Sequence, residues 1–215
     1  DTHFVEGQER EGMAIIGHFR DLDNPDSFVW LRGFEDMDTR RNALTAFYSG
    51  PVWMAQRDAA NATMVRFDNV LLLRPAWPGG EFALDLSARP AVGARHDRSG
   101  LISVNMLTVR DDPAEFAAWY RANMLPLLLA AGGEVVGAFI THDAENTYPA
   151  LPVRTDKRVF VLFTRFADVA ALDVLRKTLA GTPEWVEATT AAGAYIQGPP
   201  QPMRLAPTAR SALAG

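Results

Sequence analysis

A step from a phenylalanine to a tryptophan occurs twice in this chain and constrains its fold more than any other feature. Trp53 follows Phe34 by 19 residues. Trp185 follows Phe166 by the same interval, and in both places a glycine and a proline stand shortly before the tryptophan. A spacing that recurs together with the same glycine and proline is typical of an internal duplication. The chain is therefore expected to contain two units of similar element order.

The first unit begins with a β-hairpin and continues with helices. Residues 13–20 and 28–34 are apolar runs, and the segment between them is rich in Asp, Asn and Pro, which is typical of a turn. A helical pattern covers 36–57 and is interrupted at Gly50. The apolar run at 69–74 predicts a buried strand after these helices.

The second unit predicts the complete βαββαβ order of a ferredoxin-like fold. Its strands are predicted at 101–109, 134–141, 158–166 and 194–196, and its helices at 112–131, 168–179 and from 183 onwards. Pro126 predicts a break in the first of these helices. Gly137-Ala138-Phe139 echoes Gly17-His18-Phe19. By that comparison a first strand and most of a first helix, roughly 20 residues, are expected to be missing from the first unit.

These patterns predict an α+β fold in which tandem ferredoxin-like βαββαβ units form an α/β barrel. In such a barrel two antiparallel sheets face each other across a shared interior. The expected divisions are a first unit at 1–75, a connector rich in Pro and Gly at 76–100, a second unit at 101–198 and a loose surface tail at 199–215.

Composition excludes several classes of function. The net charge of −5 and the lack of a basic run interleaved with aromatic residues argue against a nucleic-acid surface. No apolar stretch is long enough for a membrane span, and no secretory signal opens the sequence, so a cytoplasmic location is expected. The absence of cysteine removes disulfides, thiol catalysis and Cys-ligated metals.

Residues 28–34, Arg40 and the run 47–53 resemble the NIPSNAP family of the dimeric α/β-barrel superfamily. The resemblance is good over 13–74 and looser over 101–197. It implies that ligands bind between the sheet faces and that the chain forms a homo-oligomer. The superfamily includes cofactor-free monooxygenases, polyketide cyclases, lactone isomerases, haem-degrading enzymes and aldoxime dehydratases. The family itself has no single established reaction, so the resemblance implies the fold strongly and the chemistry weakly.

His18 is the first candidate catalytic residue. By period two it shares one face of its strand with Ile16 and Arg20. An imidazole on an otherwise apolar strand suits a general base, because small environmental changes move its pKa across neutral pH. The alternative is a core histidine bonded to a neighbouring carbonyl. The imidazole is expected to project into the barrel interior.

Arg32 is the second candidate catalytic residue. It shares a face with Phe28 and Trp30, and a guanidinium among aromatic rings needs an anionic or π partner. Either it binds a substrate carboxylate or enolate, or it pairs with Glu35 or Asp36. This side chain too is expected to face the interior.

Five further side chains are candidate substrate contacts, because they bring aromatic, imidazole or amide groups to strands, a helix end or a long loop. They are Trp30, Tyr48, Asn105, His142 and Tyr148. His142 and Tyr148 belong to the loop at 141–157, whose length is typical of a lid, although an edge or oligomer contact is the alternative. The alternative for the aromatic residues is core packing, as expected for Trp53, and for Asn105 it is a tie between the sheet and a loop.

No cofactor and no metal are expected. His142-Asp143-x-Glu145 is not a recognised metal motif. Haem is an alternative in which His18, the strand-borne histidine, would be the ligand. No nucleophile elbow, phosphate loop or dinucleotide fingerprint occurs, so hydrolase and nucleotide-binding functions are unsupported.

Three functions fit the sequence. The first is a cofactor-independent lyase, isomerase, cyclase or oxygenase acting on an aromatic or polyketide-like substrate in a biosynthetic role, with His18 moving a proton and Arg32 stabilising an oxyanion. The second is a non-catalytic NIPSNAP-type binding or assembly protein, and the third is a haem-dependent lyase such as an aldoxime dehydratase. A cavity reached by both His18 and Arg32 would favour the first. An interior filled by Trp30, Phe34 and Trp53 would favour the second.

Overall fold

The computed structural model describes residues 1–214 as one antiparallel sheet with helices packed on it. Its strands are β1 (Ala14–Asp21), β2 (Phe28–Gly33), β3 (Leu73–Pro75), β4 (Leu101–Thr108), β5 (Glu134–Thr141), β6 (Val159–Phe166) and β7 (Gln201–Pro207). Its α-helices are α1 (Val5–Arg10), α2 (Met37–Ser49), α3 (Pro51–Ala62), α4 (Pro113–Asn123), α5 (Leu125–Ala130), α6 (Val169–Ala180) and α7 (Pro183–Ala192), and a 3₁₀ turn spans Leu86–Ala88.

The sheet has the strand order β2-β1-β7-β4-β6-β5-β3, and every neighbouring pair is antiparallel. Six strand spacings would separate the two edges of a flat sheet by about 29 Å. Leu31 of β2 and Leu73 of β3 nevertheless pack against the same buried cluster. The sheet is therefore curled into a half-barrel. The expected α+β class is confirmed, with an architecture compatible with an α/β barrel.

Local signals place most of the elements. Asp36, Asp112 and Asp168 cap α2, α4 and α6, each accepting a hydrogen bond from a backbone N–H two or three residues later. The helical segment predicted around Pro126 is indeed broken, with α4 ending at Asn123 and α5 beginning at Leu125. The predicted hairpin is β1 and β2.

The last strand of the second half is not where the sequence indicated. Residues 194–196 form only an isolated bridge between Val109 and Ile196, and the strand is β7. The four strands of this half lie in the order β7-β4-β6-β5.

The expectation of a loose tail at 199–215 is wrong for the described part of that segment. Residues 205 and 207–211 are buried, and β7 lies between β1 and β4. Proline normally argues against such a position, since it cannot donate to a ladder. Pro202 faces β4 at Asn105, whereas the pairing of β7 with β1 begins only at Leu205. The proline therefore lies where the strand has one neighbour.

Three apolar clusters stabilise the sheet. One lies between the second half of the sheet and the helices α4 to α7, and a smaller one lies between β1, α1 and α2. The third fills the concave face, where Phe19, Phe163 and Leu205 are fully or almost fully buried. The connector adds Phe82 and Leu84 to this interior, and the C-terminal segment adds Leu213. Side chains of the protein thus occupy the inside of the half-barrel.

Within residues 1–214, no helix combines the length and the apolar character needed to cross a bilayer.

Candidate functional site

His18, Trp30 and Arg32 come together on one face of the β1–β2 hairpin. His18 is the register partner of Trp30, and the two ring centroids lie 5.5 Å apart. The guanidinium carbon of Arg32 lies 4.7 Å from the centroid of the Trp30 ring. The sequence prediction that these three side chains share a site is consistent with this arrangement.

The face on which they lie is not the one expected. Phe19 and Leu31 point into the interior cluster, whereas His18 and Arg32 lie on the opposite face, beside α1 and the C-terminal segment. A β-bulge between Ile15 and Gly17 explains the error. It turns Ile16 to the interior face, so that period two no longer groups this residue with His18. The expectation that both candidate catalytic residues face the interior is wrong.

His18 is held as a neutral side chain. The residue is 4% exposed, and burial lowers its pKa to about 3. Its Nδ1 lies 2.9 Å from Asp1 Oδ1, so the neutral ring donates Nδ1–H to that carboxylate and keeps Nε2 as an acceptor. The backbone N–H of His18 donates to Ser211 Oγ at 3.2 Å.

Arg32 has no acidic partner within residues 1–214. Its Nη1 donates to Gln8 Oε1 at 3.3 Å, and the carboxylates proposed as internal partners are turned elsewhere. Asp36 accepts from the backbone N–H of Thr39 as the cap of α2, and Glu35 is exposed. The guanidinium therefore rests on the Trp30 ring and on one amide.

Arg40, which the sequence indicated only as a mark of the family resemblance, completes this group. The residue is 4% exposed in the first turn of α2, and its Nη1 donates to Asn146 Oδ1 at 3.0 Å and to Thr147 Oγ1 at 3.4 Å. Burial lowers the pKa of the Arg40 guanidinium, and the positive charge of Arg32 lowers it further. An arginine next to Arg41, in an otherwise ordinary helix pattern, was the only signal in the sequence.

Tyr48 and Tyr148 also come together, but on α2 and the long loop. Their rings stack with centroids 5.8 Å apart at an interplanar angle of 16°. Trp53 meets Tyr48 edge-on at 4.7 Å, and Thr147 Oγ1 donates to Met37 O at 2.9 Å. The loop is thus docked along α2, with Arg40 between this aromatic group and the hairpin group.

Asn105 and His142 do not join either group. Asn105 is exposed, and its strand neighbours Val104 and Met106 point the other way, into the interior cluster. Its place in mid-strand between two apolar residues predicts a buried amide, and that prediction is wrong. The backbone N–H of His142 donates to Leu72 O, which places the residue next to β3 rather than beside Tyr148.

Two clefts on the surface are lined by other residues. A cleft of about 360 Å³ is bounded by α1 and α3, and another of about 420 Å³ lies between α4 and the segment 76–78. Among residues 1–214, no three His, Asp or Glu side chains are grouped closely enough to hold a metal ion. The residues do not fit the haem alternative, because His18 faces away from an interior that is already filled.

Neither a protein-family model nor a curated protein matches this sequence. A protein from Lactobacillus acidophilus NCFM, provisionally named a monooxygenase, has a solved structure that matches 97% of this chain and 88% of its own, with a TM-score of 0.50 and 11% identity. That likeness shows the fold alone. The structure of PA3566 from Pseudomonas aeruginosa covers 52% of this chain with 18% identity. Its TM-score of 0.33 is too low to support a conclusion about the fold.

Proposed function

We propose that this protein is a small-molecule enzyme of the dimeric α/β-barrel type, a NIPSNAP-like tandem of ferredoxin-like units. It works without a cofactor as a lyase, isomerase, cyclase or oxygenase on an aromatic or polyketide-like substrate. The observation that supports this is the convergence of His18, Trp30 and Arg32 on one sheet face. A planar wall, a cation and a neutral hydrogen-bond acceptor are the groups that orient a conjugated substrate and stabilise an enolate.

The roles follow from the geometry of each side chain. Arg32 stabilises the developing oxyanion, since no protein carboxylate within residues 1–214 neutralises it. Trp30 positions the planar part of the substrate. His18, whose pKa burial lowers to about 3, is a weak base and accepts a hydrogen bond through Nε2. The substrate approaches this outer face of the hairpin and not the filled interior.

The proposal is tested by mass spectrometry of turnover mixtures. The protein is incubated in air with a panel of aromatic and polyketide-like acids. Loss of water indicates a lyase or cyclase, and unchanged mass with a new retention time indicates an isomerase. Gain of one oxygen atom with loss of two hydrogen atoms indicates an oxygenase, because the substrate itself then supplies the two electrons that reduce the second oxygen atom of O2 to water. Arg32→Met abolishes the change, whereas Arg41→Met, which removes an exposed charge from α2, preserves it. Turnover that survives Arg32→Met, or no turnover of any substrate class, contradicts the proposal.

The second candidate is a non-catalytic NIPSNAP-type binding or assembly protein in the cytoplasm. The filled interior favours it, although the condition named for this alternative, filling by Trp30, Phe34 and Trp53, is not met. The residues that fill the interior include Phe82, Leu84 and Leu213. A native mass spectrum with an absorption scan reports a bound small molecule, haem and the proposed homo-oligomer together. A retained ligand without turnover would support this candidate over the enzyme.

A further inference from the structure

The protein neutralises some of its buried arginines and leaves others without a counter-charge. Arg89 and Arg210 have side chains that are 4% exposed, and each forms a salt bridge with a glutamate of α1. Arg40 is equally buried, and Arg32 is half-buried, but neither lies within salt-bridge distance of a carboxylate in the described part of the chain. Buried charge is costly unless it is paired. A bound anion would therefore stabilise Arg32 and Arg40.

The two unpaired guanidinium groups lie at one junction of the fold. Arg32 is at the end of β2, and Arg40 is in the first turn of α2. Only three residues, 34–36, separate that strand from that helix. Arg40 uses Nη1 for Asn146 and Thr147, and its Nε and Nη2 are not among the fully enclosed atoms that lack a partner. These N–H groups therefore have no hydrogen-bond partner within residues 1–214 and are not completely enclosed.

The indole of Trp30 supplies a third donor without an acceptor. Its Nε1 is enclosed and has no hydrogen-bond partner within residues 1–214. Most enclosed N–H groups in proteins are bonded, so an orphan at a candidate site points to a missing acceptor. The same ring lies under Arg32 and beside His18, which gives the site a flat aromatic wall.

We propose that Arg32, Arg40 and Trp30 form a binding site for the carboxylate of a planar, conjugated small molecule. A carboxylate offers two oxygens in one plane, which matches the fork of a guanidinium, and it neutralises charge that the fold leaves unpaired. The planar remainder of the molecule stacks on the aromatic wall. The inference rests on the proposed function, because it names the substrate class of the same site.

The site is tested by binding and without turnover. Benzoate and 1-naphthoate are titrated into the protein by calorimetry, with benzamide and 1-naphthamide as neutral probes of the same shape. The acids bind and the amides do not. Arg32→Met and Arg40→Met each weaken binding of the acids by roughly tenfold to a hundredfold, the value of a charge-assisted hydrogen bond. Arg41→Met, on the exposed side of α2, binds as the wild type does.

Two further measurements protect the test against a variant that fails to fold. Trp30→Phe keeps the ring and removes the N–H, and it weakens binding of the acids severalfold. Arg32→Met has an unchanged or higher Tm at low salt without ligand, because it relieves repulsion by Arg40. A structural role for Arg32 would lower Tm instead and would overturn the proposal.

Other outcomes also overturn it. Equal binding of acid and amide, tight binding of inorganic phosphate but not of benzoate, or no binding of either acid would each show that the site does not recognise a carboxylate. Binding of the acids as described, with no chemical change in any incubated substrate, would leave this site established while the proposed enzymatic function fails.

Discussion

The imidazole of His18 couples folding to pH. Burial lowers its pKa to about 3 in the folded protein, whereas the ordinary value is near 6.5. Between these values the unfolded chain binds a proton that the folded chain does not. Stability from this group is therefore complete above pH 6.5 and is lost as the pH falls towards 3. A single proton limits the slope to about 1.4 kcal/mol per pH unit.

Replacing His18 by Gln removes this dependence. The free energy of unfolding of the wild type, measured with urea between pH 7 and pH 4, falls more steeply than that of His18→Gln. His96→Gln, which changes an exposed histidine of the connector, keeps the wild-type slope. Parallel curves for the wild type and His18→Gln would show that His18 is not buried in its neutral form.

Residue chemistry could be predicted better than residue orientation. Alternation along two apolar strands was enough to group His18 with Arg20 and to associate Trp30 with Arg32. It could not show that a bulge precedes Gly17, because a bulge depends on the register with the partner strand. The echo at Gly137 was a usable signal, since β5 also has a register irregularity between Val135 and Gly137.

At the scale of elements, the loop at 142–157 and helix α2 behave as one unit. Asn146 and Thr147 hold Arg40, and Tyr148 stacks on Tyr48. The loop therefore forms one side of the region around Arg40. The lid predicted from the length of this loop stays a prediction. The loop lies against α2, and His142 takes no part in these contacts.

Tyr148→Ala loosens this loop. The stacked pair is worth about 1 kcal/mol, so the variant loses about that much stability and its loop opens more often. Hydrogen exchange of residues 144–152 becomes faster, while exchange in β4 and β6 stays unchanged. Glu145→Ala, on an exposed part of the same loop, serves as the control. Equal exchange in Tyr148→Ala and the wild type would show that the stacking does not hold the loop.

The whole molecule is stabilised by segments that carry little secondary structure. The ring of Phe82 lies 4.8 Å from Phe139 and 5.0 Å from Phe163, and Leu213 is 1% exposed in the same cluster. Side chains of the connector and of the C-terminal segment thus fill the interior of the half-barrel.

Removing one of these interior side chains lowers the stability of the protein. Phe82→Ala lowers the free energy of unfolding by about 2 kcal/mol, less than for a fully enclosed phenylalanine because the residue is only half-buried. Phe67→Ala, at a side chain that is 57% exposed, changes it by about 0.5 kcal/mol or less. Urea unfolding measures both. An equal effect of the two changes would mean that Phe82 does not fill the interior.

Sequence patterns predicted most of the strands and helices. They missed β7, placed the strand observed at Leu73–Pro75 at 69–74, and did not show what fills the interior. Period two and the cap residues Asp112 and Asp168 are local signals, and they placed β4, α4 and α6 near their observed bounds. The positions of Phe82 and Leu213 depend on contacts between distant parts of the chain. Their surroundings are rich in Pro, Gly and Ala, which resemble those of a linker, and no periodicity marks them.

The placement of β7 sets an order of events when the protein is made. This strand is synthesised after the other six, yet it alone joins the β1–β2 hairpin to the remainder of the sheet. While the ribosome is still translating, the hairpin has no strand neighbour and exposes a free edge. Pairings between such distant segments form slowly, and unpaired edges attract other chains in the meantime. Until residues 201–207 have been synthesised, the β1–β2 hairpin therefore keeps an unpaired edge that favours aggregation.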